Sequence, residues 1–130
     1  MIKQVFNVRH YWKVIVLYDL DYTFLYDIVR LFSSEKFPKR YVRQVLLEMY
    51  NNAKAATCSN IKRRLSIVMF NPHYSKSDYL NSIVHEAEHV KQAMLYTYAV
   101  EDFGEPPAYT IGYLISRMYE VFQHLICDCR

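Results

Sequence analysis

Glycine is the residue this chain uses least for its turns: of 130 residues, only Gly104 and Gly112 are glycine. So few exclude a Gly-rich loop that cradles phosphate and argue against a turn-rich all-β fold. Long apolar runs are missing too. The longest near the start, Val14 to Tyr18, has the length of a strand and falls far short of the roughly 18 residues of a membrane span. The stretch from Met1-Ile2-Lys3-Gln4 lacks a long apolar core followed by small residues, so a secretory leader is not expected. The three cysteines are an odd number, which does not suit a disulfide framework. Free thiols in a reducing cytoplasm are therefore the expectation. Charge is weak, at a net +3. The basic groups at 36–43 and 62–64 are expected to be solvated surface, and a nucleic-acid partner is not expected. No repeat, low-complexity segment or linker divides the chain, so residues 1–130 are expected to form one domain.

An apolar share of 52% excludes disorder and allows a modest core. Residues 11–18 are aromatic and β-branched, which predicts a buried or half-buried strand. Asp21 is a plausible N-cap for a first helix to about Ser33, with Leu25, Ile28, Val29 and Phe32 at helical spacing. Pro38 suits the first turn of a second helix with a stripe at Val42, Val45, Leu46 and Met49, ending near Asn51-Asn52. A short strand near 56–59 and a clear one over 64–70 follow. The predicted class is α+β, with two to four strands packed on about four helices.

The third helix, at about 77–98, carries His85-Glu86-Ala87-Glu88-His89. Ser75 with Asp78 matches a capping box before it. On a helix, residues four apart lie about 40° apart around the axis. Two imidazoles so placed can hold one metal ion, and the glutamate after the first lies beside it, in reach of a metal-bound water. A wheel gathers Leu80, Ile83, Ala87, Val90 and Met94 on one face within about 80°. His85 and His89 fall opposite, with Glu86 to one side. A solvated polar face that holds the pattern by accident is the alternative.

A catalytic zinc usually has three protein ligands and one open position. Downstream, Gly104 can turn the chain into a last helix at about 106–126, with a stripe at Ile111, Leu114, Ile115, Met118, Val121, Phe122 and Leu125. Glu105 opens it, roughly opposite that stripe, with two prolines to stiffen the backbone. Glu105 is the candidate third ligand, and Gly112 would let the two helices approach. A helix-start acid favoured by the macrodipole is the alternative. Glu120 and His124 lie roughly 22 Å or more further along such a helix. His10 and His73 cannot be placed from sequence. Cys127 and Cys129 could make a second metal site, but a frayed tail is the expectation.

His85-Glu86-x-x-His89 followed by Glu105 resembles the gluzincin branch of zinc metallopeptidases. The strings around His85 and Gly104-Glu105-Pro106-Pro107-Ala108-Tyr109 are similar to small single-domain zincin-like proteins of bacteria and prophages, the minimal gluzincins. The resemblance covers about residues 64–113. It implies a zincin-like fold, zinc held by His85, His89 and Glu105, Glu86 as general base, and a peptide or protein substrate. It also implies that the strand at 64–70 is the edge strand that lines the cleft and pairs with substrate. A catalytically inactive zinc-binding module, acting through interaction or regulation, and a metal-free helical binding domain are the alternatives. An oxyanion-stabilising residue cannot be assigned; Tyr109, Tyr113 and His73 are candidates by position.

Overall fold

The computed structural model describes residues 1–9 and 11–125. Strands β1 (Ile2–Val8) and β2 (Trp12–Tyr18) lead into helices α1 (Leu25–Ser34) and α2 (Lys39–Tyr50). Strands β3 (Ala55–Asn60) and β4 (Leu65–Phe70) follow, and then helices α3 (Lys76–Thr97) and α4 (Glu105–Phe122). The class is α+β, with four helices and a four-stranded mixed sheet.

The sheet order is β1-β2-β4-β3. The β1–β2 and β3–β4 pairs are antiparallel, and β2 and β4 run parallel in the middle, with Ile15 opposite Ile67. The parallel pair needs a crossover, and α1, α2 and β3 supply it. An edge role for 64–70 is therefore overturned: β4 is bonded on both sides, and the edges are β1 and, next to β4, β3.

Strand alternation explains why β2 and β4 are apolar almost throughout. Val14, Val16, Tyr18, Val68 and Phe70 face one core, shared with Tyr79, Ile83, Ala87, Val90 and Met94 of α3 and Leu114, Met118 and Phe122 of α4. Ile15, Leu17, Leu65, Ile67 and Met69 face a second core, closed by Ile28 and Phe32 of α1 and Val42, Val45, Leu46 and Met49 of α2. Trp12 is buried in the first core and donates its indole N–H to Ser66 Oγ at 3.0 Å. That bond satisfies two buried polar groups at once. The sheet is thus a middle layer between two helix pairs.

Local signals set the helix starts. Asp21 accepts from the Thr23 amide at 3.0 Å and caps the short 3-10 turn, 22–24, that runs into α1. Ser75 accepts from the Asp78 amide at 3.1 Å and caps α3. The helix ends show what scarce glycine costs. Lys36, Asn52 and Ala99 sit at φ of 63°, 73° and 54° just past α1, α2 and α3. There the amides of Phe37, Ala53 and Val100 reach back to the carbonyls of Phe32, Glu48 and Leu95. This is the Schellman closure, which favours glycine, and next asparagine, at the left-handed position; Lys36 and Ala99 there each cost about 1 kcal/mol relative to glycine, and Asn52 less. Of the glycines, Gly104 (φ 87°) does serve as the turn into α4.

Three expectations about faces need correction. Leu80 is exposed and Tyr79 fills the core, so the buried face of α3 is rotated towards Glu86. Leu25 and Val29 of α1 are likewise exposed. Gly112 does not mediate close approach: a Cβ placed there meets nothing within 4 Å. The stripe on α4 does face the core, with Leu114, Met118 and Phe122 buried and Ile111, Ile115 and Val121 packed beside them. No helix among the described residues is long and apolar enough to cross a membrane.

Candidate functional site

The middle of α3 faces β3 across an open cleft of about 380 Å³ lined by Ala55, Ala56, Thr57, Ser59, His85, Glu86 and His89. The cleft exists because β3 is a free edge and carries small residues there. Bulky side chains at 55–59 would fill it.

His85 and His89 are exposed, one helical turn apart, with Nε2 of each 3.2 Å from the other. Two zinc–imidazole bonds of about 2.0–2.1 Å at a tetrahedral angle place their nitrogens roughly 3.3–3.4 Å apart. The pair is therefore spaced for one shared ion. A proton shared between the rings accounts for the same spacing.

Glu86 is different: it is 6% exposed. Burial of a carboxylate needs hydrogen bonding, and Thr57 Oγ1 donates to Glu86 Oε1 at 2.9 Å. The other oxygen, Oε2, lies 4.0 Å from His85 Nε2. The wheel placed Glu86 between the two faces; the rotated buried face turns its stem inward while the carboxylate still lines the cleft. Thr57 escaped the sequence reading, because nothing in its own stretch says which helix it will face.

Glu105 is exposed at the first position of α4 and is not part of the cleft wall. Among the described residues, no three His, Cys, Asp or Glu side chains are gathered as a metal group. The pair His85 and His89 is thus brought together and Glu105 is left apart. The loop before Glu105 is tied to α3 by Lys91, whose Nζ lies 2.8 Å from Glu88 Oε1 and 2.9 Å from Asp102 Oδ1.

None of the oxyanion candidates lines this cleft. Tyr109 and Tyr113 border a different cavity beside β1, where the Tyr113 hydroxyl donates to the Asn7 carbonyl at 3.1 Å. His73 is buried, stacked on Tyr79 and held between the Asn71 carbonyl and Ser82 Oγ at 2.6 and 2.7 Å. Its ring thus anchors the first turns of α3. His10, Cys127 and Cys129 lie outside the described residues. Cys58, buried in the second core, has its thiol pushed up to about 11 by burial, which makes it a poor ligand or nucleophile. No family model, curated protein or solved structure matches the chain.

Proposed function

We propose that the chain is a zincin-like, gluzincin-type hydrolase that cleaves amide bonds in a peptide or protein substrate. The observation that carries this is the 3.2 Å spacing of the His85 and His89 Nε2 atoms, with the Glu86 carboxylate beside them. His85 and His89 would hold zinc from the exposed face of α3. Glu105 is the proposed third ligand, and reaching the ion requires the start of α4 to shift. When bound, zinc lowers the pKa of its water to roughly 7 and polarises the scissile carbonyl.

The protein's own residues do the rest. Thr57 donates its hydroxyl hydrogen to Glu86 Oε1 and so engages that oxygen. Oε2, on the His85 side, is then the oxygen that accepts the water's proton and returns it to the leaving amine. The free edge of β3 offers its backbone to an extended peptide, in place of the 64–70 strand, by strand addition.

The second reading, a zinc-binding interaction module without turnover, is favoured by one observation: Glu105 is not gathered with the histidines. Elemental analysis of the purified chain separates the readings when paired with a peptide-library digest. For the hydrolase, zinc is retained in the parent, weakened by Glu105→Ala and lost in His85→Ala/His89→Ala. Glu86→Gln keeps zinc and loses cleavage. Zinc without any cleavage in the parent selects the module. No zinc in the parent, or equal zinc after both histidines are replaced, removes both.

A further inference from the structure

On the far side of the sheet from His85 lies a groove of about 690 Å³ between α1 and α2. This volume is within the range of small-molecule sites, roughly 300–1,000 Å³. Its polarity runs from one end to the other. At the turn between the helices it is lined by Ser33, Lys39 and Arg43. Its middle is Val29, Val42 and Leu46. Tyr22 and Tyr50 close the far end, edge to face with ring centroids 5.4 Å apart. The Tyr22 hydroxyl is turned away, donating to Asn71 Oδ1 at 2.9 Å, so the far end presents ring surface.

The charge at the near end is unanswered. Neither the Lys39 nor the Arg43 side chain makes an ion pair or hydrogen bond to another described residue. The only acids on the two helices, Asp27 and Glu48, do not line the groove. From Lys39 to Tyr50 the groove follows α2 for about 16 Å at 1.5 Å per residue. The helices expose apolar residues along it that a two-helix layer normally buries: Leu25, Val29, Leu47 and Tyr50 are 43%, 39%, 58% and 66% exposed.

We propose that this groove binds a single-chain amphiphile with an anionic carboxylate head, its head on Lys39 and Arg43 and its tail along Val42 and Leu46 towards the tyrosine pair. The cations stand at one end only. That suits one head and one tail, whereas an acidic amphipathic helix asks for cations along its length. A concave groove also suits an inserted chain better than a planar membrane. The proposal does not depend on the zinc reading, because the groove lies against the second core and the cleft lies on the first.

Titration of the full chain with dodecanoate below its micelle concentration, by calorimetry with amide shifts in NMR to locate the site, tests it. Expected are saturable one-to-one binding and shifts confined to α1 and α2. Dodecyltrimethylammonium, with the same tail, should bind at least tenfold more weakly. Lys39→Glu/Arg43→Glu should weaken dodecanoate at least tenfold. Leu47→Asp, at an exposed position, should weaken both amphiphiles. Absence of saturable binding, shifts elsewhere, equal affinity for the two heads, or no effect of charge reversal each overturns the proposal. So does binding of an acidic helical peptide in the groove where dodecanoate fails.

Discussion

Replacing Thr57 with valine tests how Glu86 is held, without any need for substrate. Valine keeps the shape of threonine and removes the hydroxyl that donates to Glu86 Oε1 at 2.9 Å. Hydrogen bonds to charged groups contribute about 1.5–3 kcal/mol. Glu86 has a side chain only 7% accessible, so the loss is felt. The cleft is open, however, and water can reach the released oxygen, which favours the lower end. The expected cost of Thr57→Val is about 1.5 kcal/mol, a fall in Tm of roughly 5–8 °C for a chain of this size. Denaturant unfolding followed by the fluorescence of Trp12, the single tryptophan, measures it. Thr57→Ser, which keeps the hydroxyl, should cost clearly less. Combined with Glu86→Gln in a double-mutant cycle, Thr57→Val should show a coupling of about 1 kcal/mol. A Thr57→Val cost no larger than that of Thr57→Ser, with no coupling, would refute the claim that this bond holds the carboxylate.

Two further predictions follow from backbone and charge. The chain keeps a glycine inside α4 where nothing approaches it, and an alanine in the left-handed position after α3; Gly112→Ala and Ala99→Gly should each stabilise by about 0.5–1 kcal/mol and add when combined, measured by thermal unfolding. The hydrogen bond from Lys54 Nζ at 2.6 Å, followed by the lysine's charge, holds the Asp78 carboxyl below the usual carboxylate range. A depressed folded value means that the contribution is present above the ordinary carboxylate range and is lost as pH falls through the folded value; Lys54→Met should return the Asp78 titration, followed by carboxyl NMR, to its ordinary position.

The helices and the inner strands were legible because their signals are local: stripes at helical spacing, Ser75 before α3, Asp21 before α1. Strand β1 was not singled out, and its pattern explains why. Gln4 points inward, giving its Nε2 to the Arg117 carbonyl at 2.7 Å and accepting from the Tyr18 hydroxyl at 2.6 Å. Val5 points outward at 47% exposure. The alternation that marks a half-buried strand is therefore reversed at two positions. Strand order was beyond reach for another reason. The run at 64–70 looks the same whether it is central or at an edge, and only its pairing with β2 settles the matter. In the cleft, His85, Glu86 and His89 could be read from a five-residue pattern. Thr57 could not, since its meeting with Glu86 depends on how α3 lies across the sheet. The expected gathering of Glu105 with the histidines rested on face assignments within single helices, which do not say how far apart two helix ends lie.

A free edge strand is a hazard as well as a platform. A row of unpaired amides and carbonyls at β3 could accept a second copy of the chain as readily as any peptide, and edges are usually blunted with charge. The opposite edge, β1, has such a device in Lys3, and its Asn7 carbonyl is taken by Tyr113. Strand β3 carries no charged residue; its sequence is Ala-Ala-Thr-Cys-Ser-Asn. What it lacks instead is grip. It is six residues long, with no aromatic or branched aliphatic side chain, so two such edges would zip backbones with almost no side-chain interdigitation to keep them together. The small residues that leave room for the cleft are thus also those that make self-association through β3 weak.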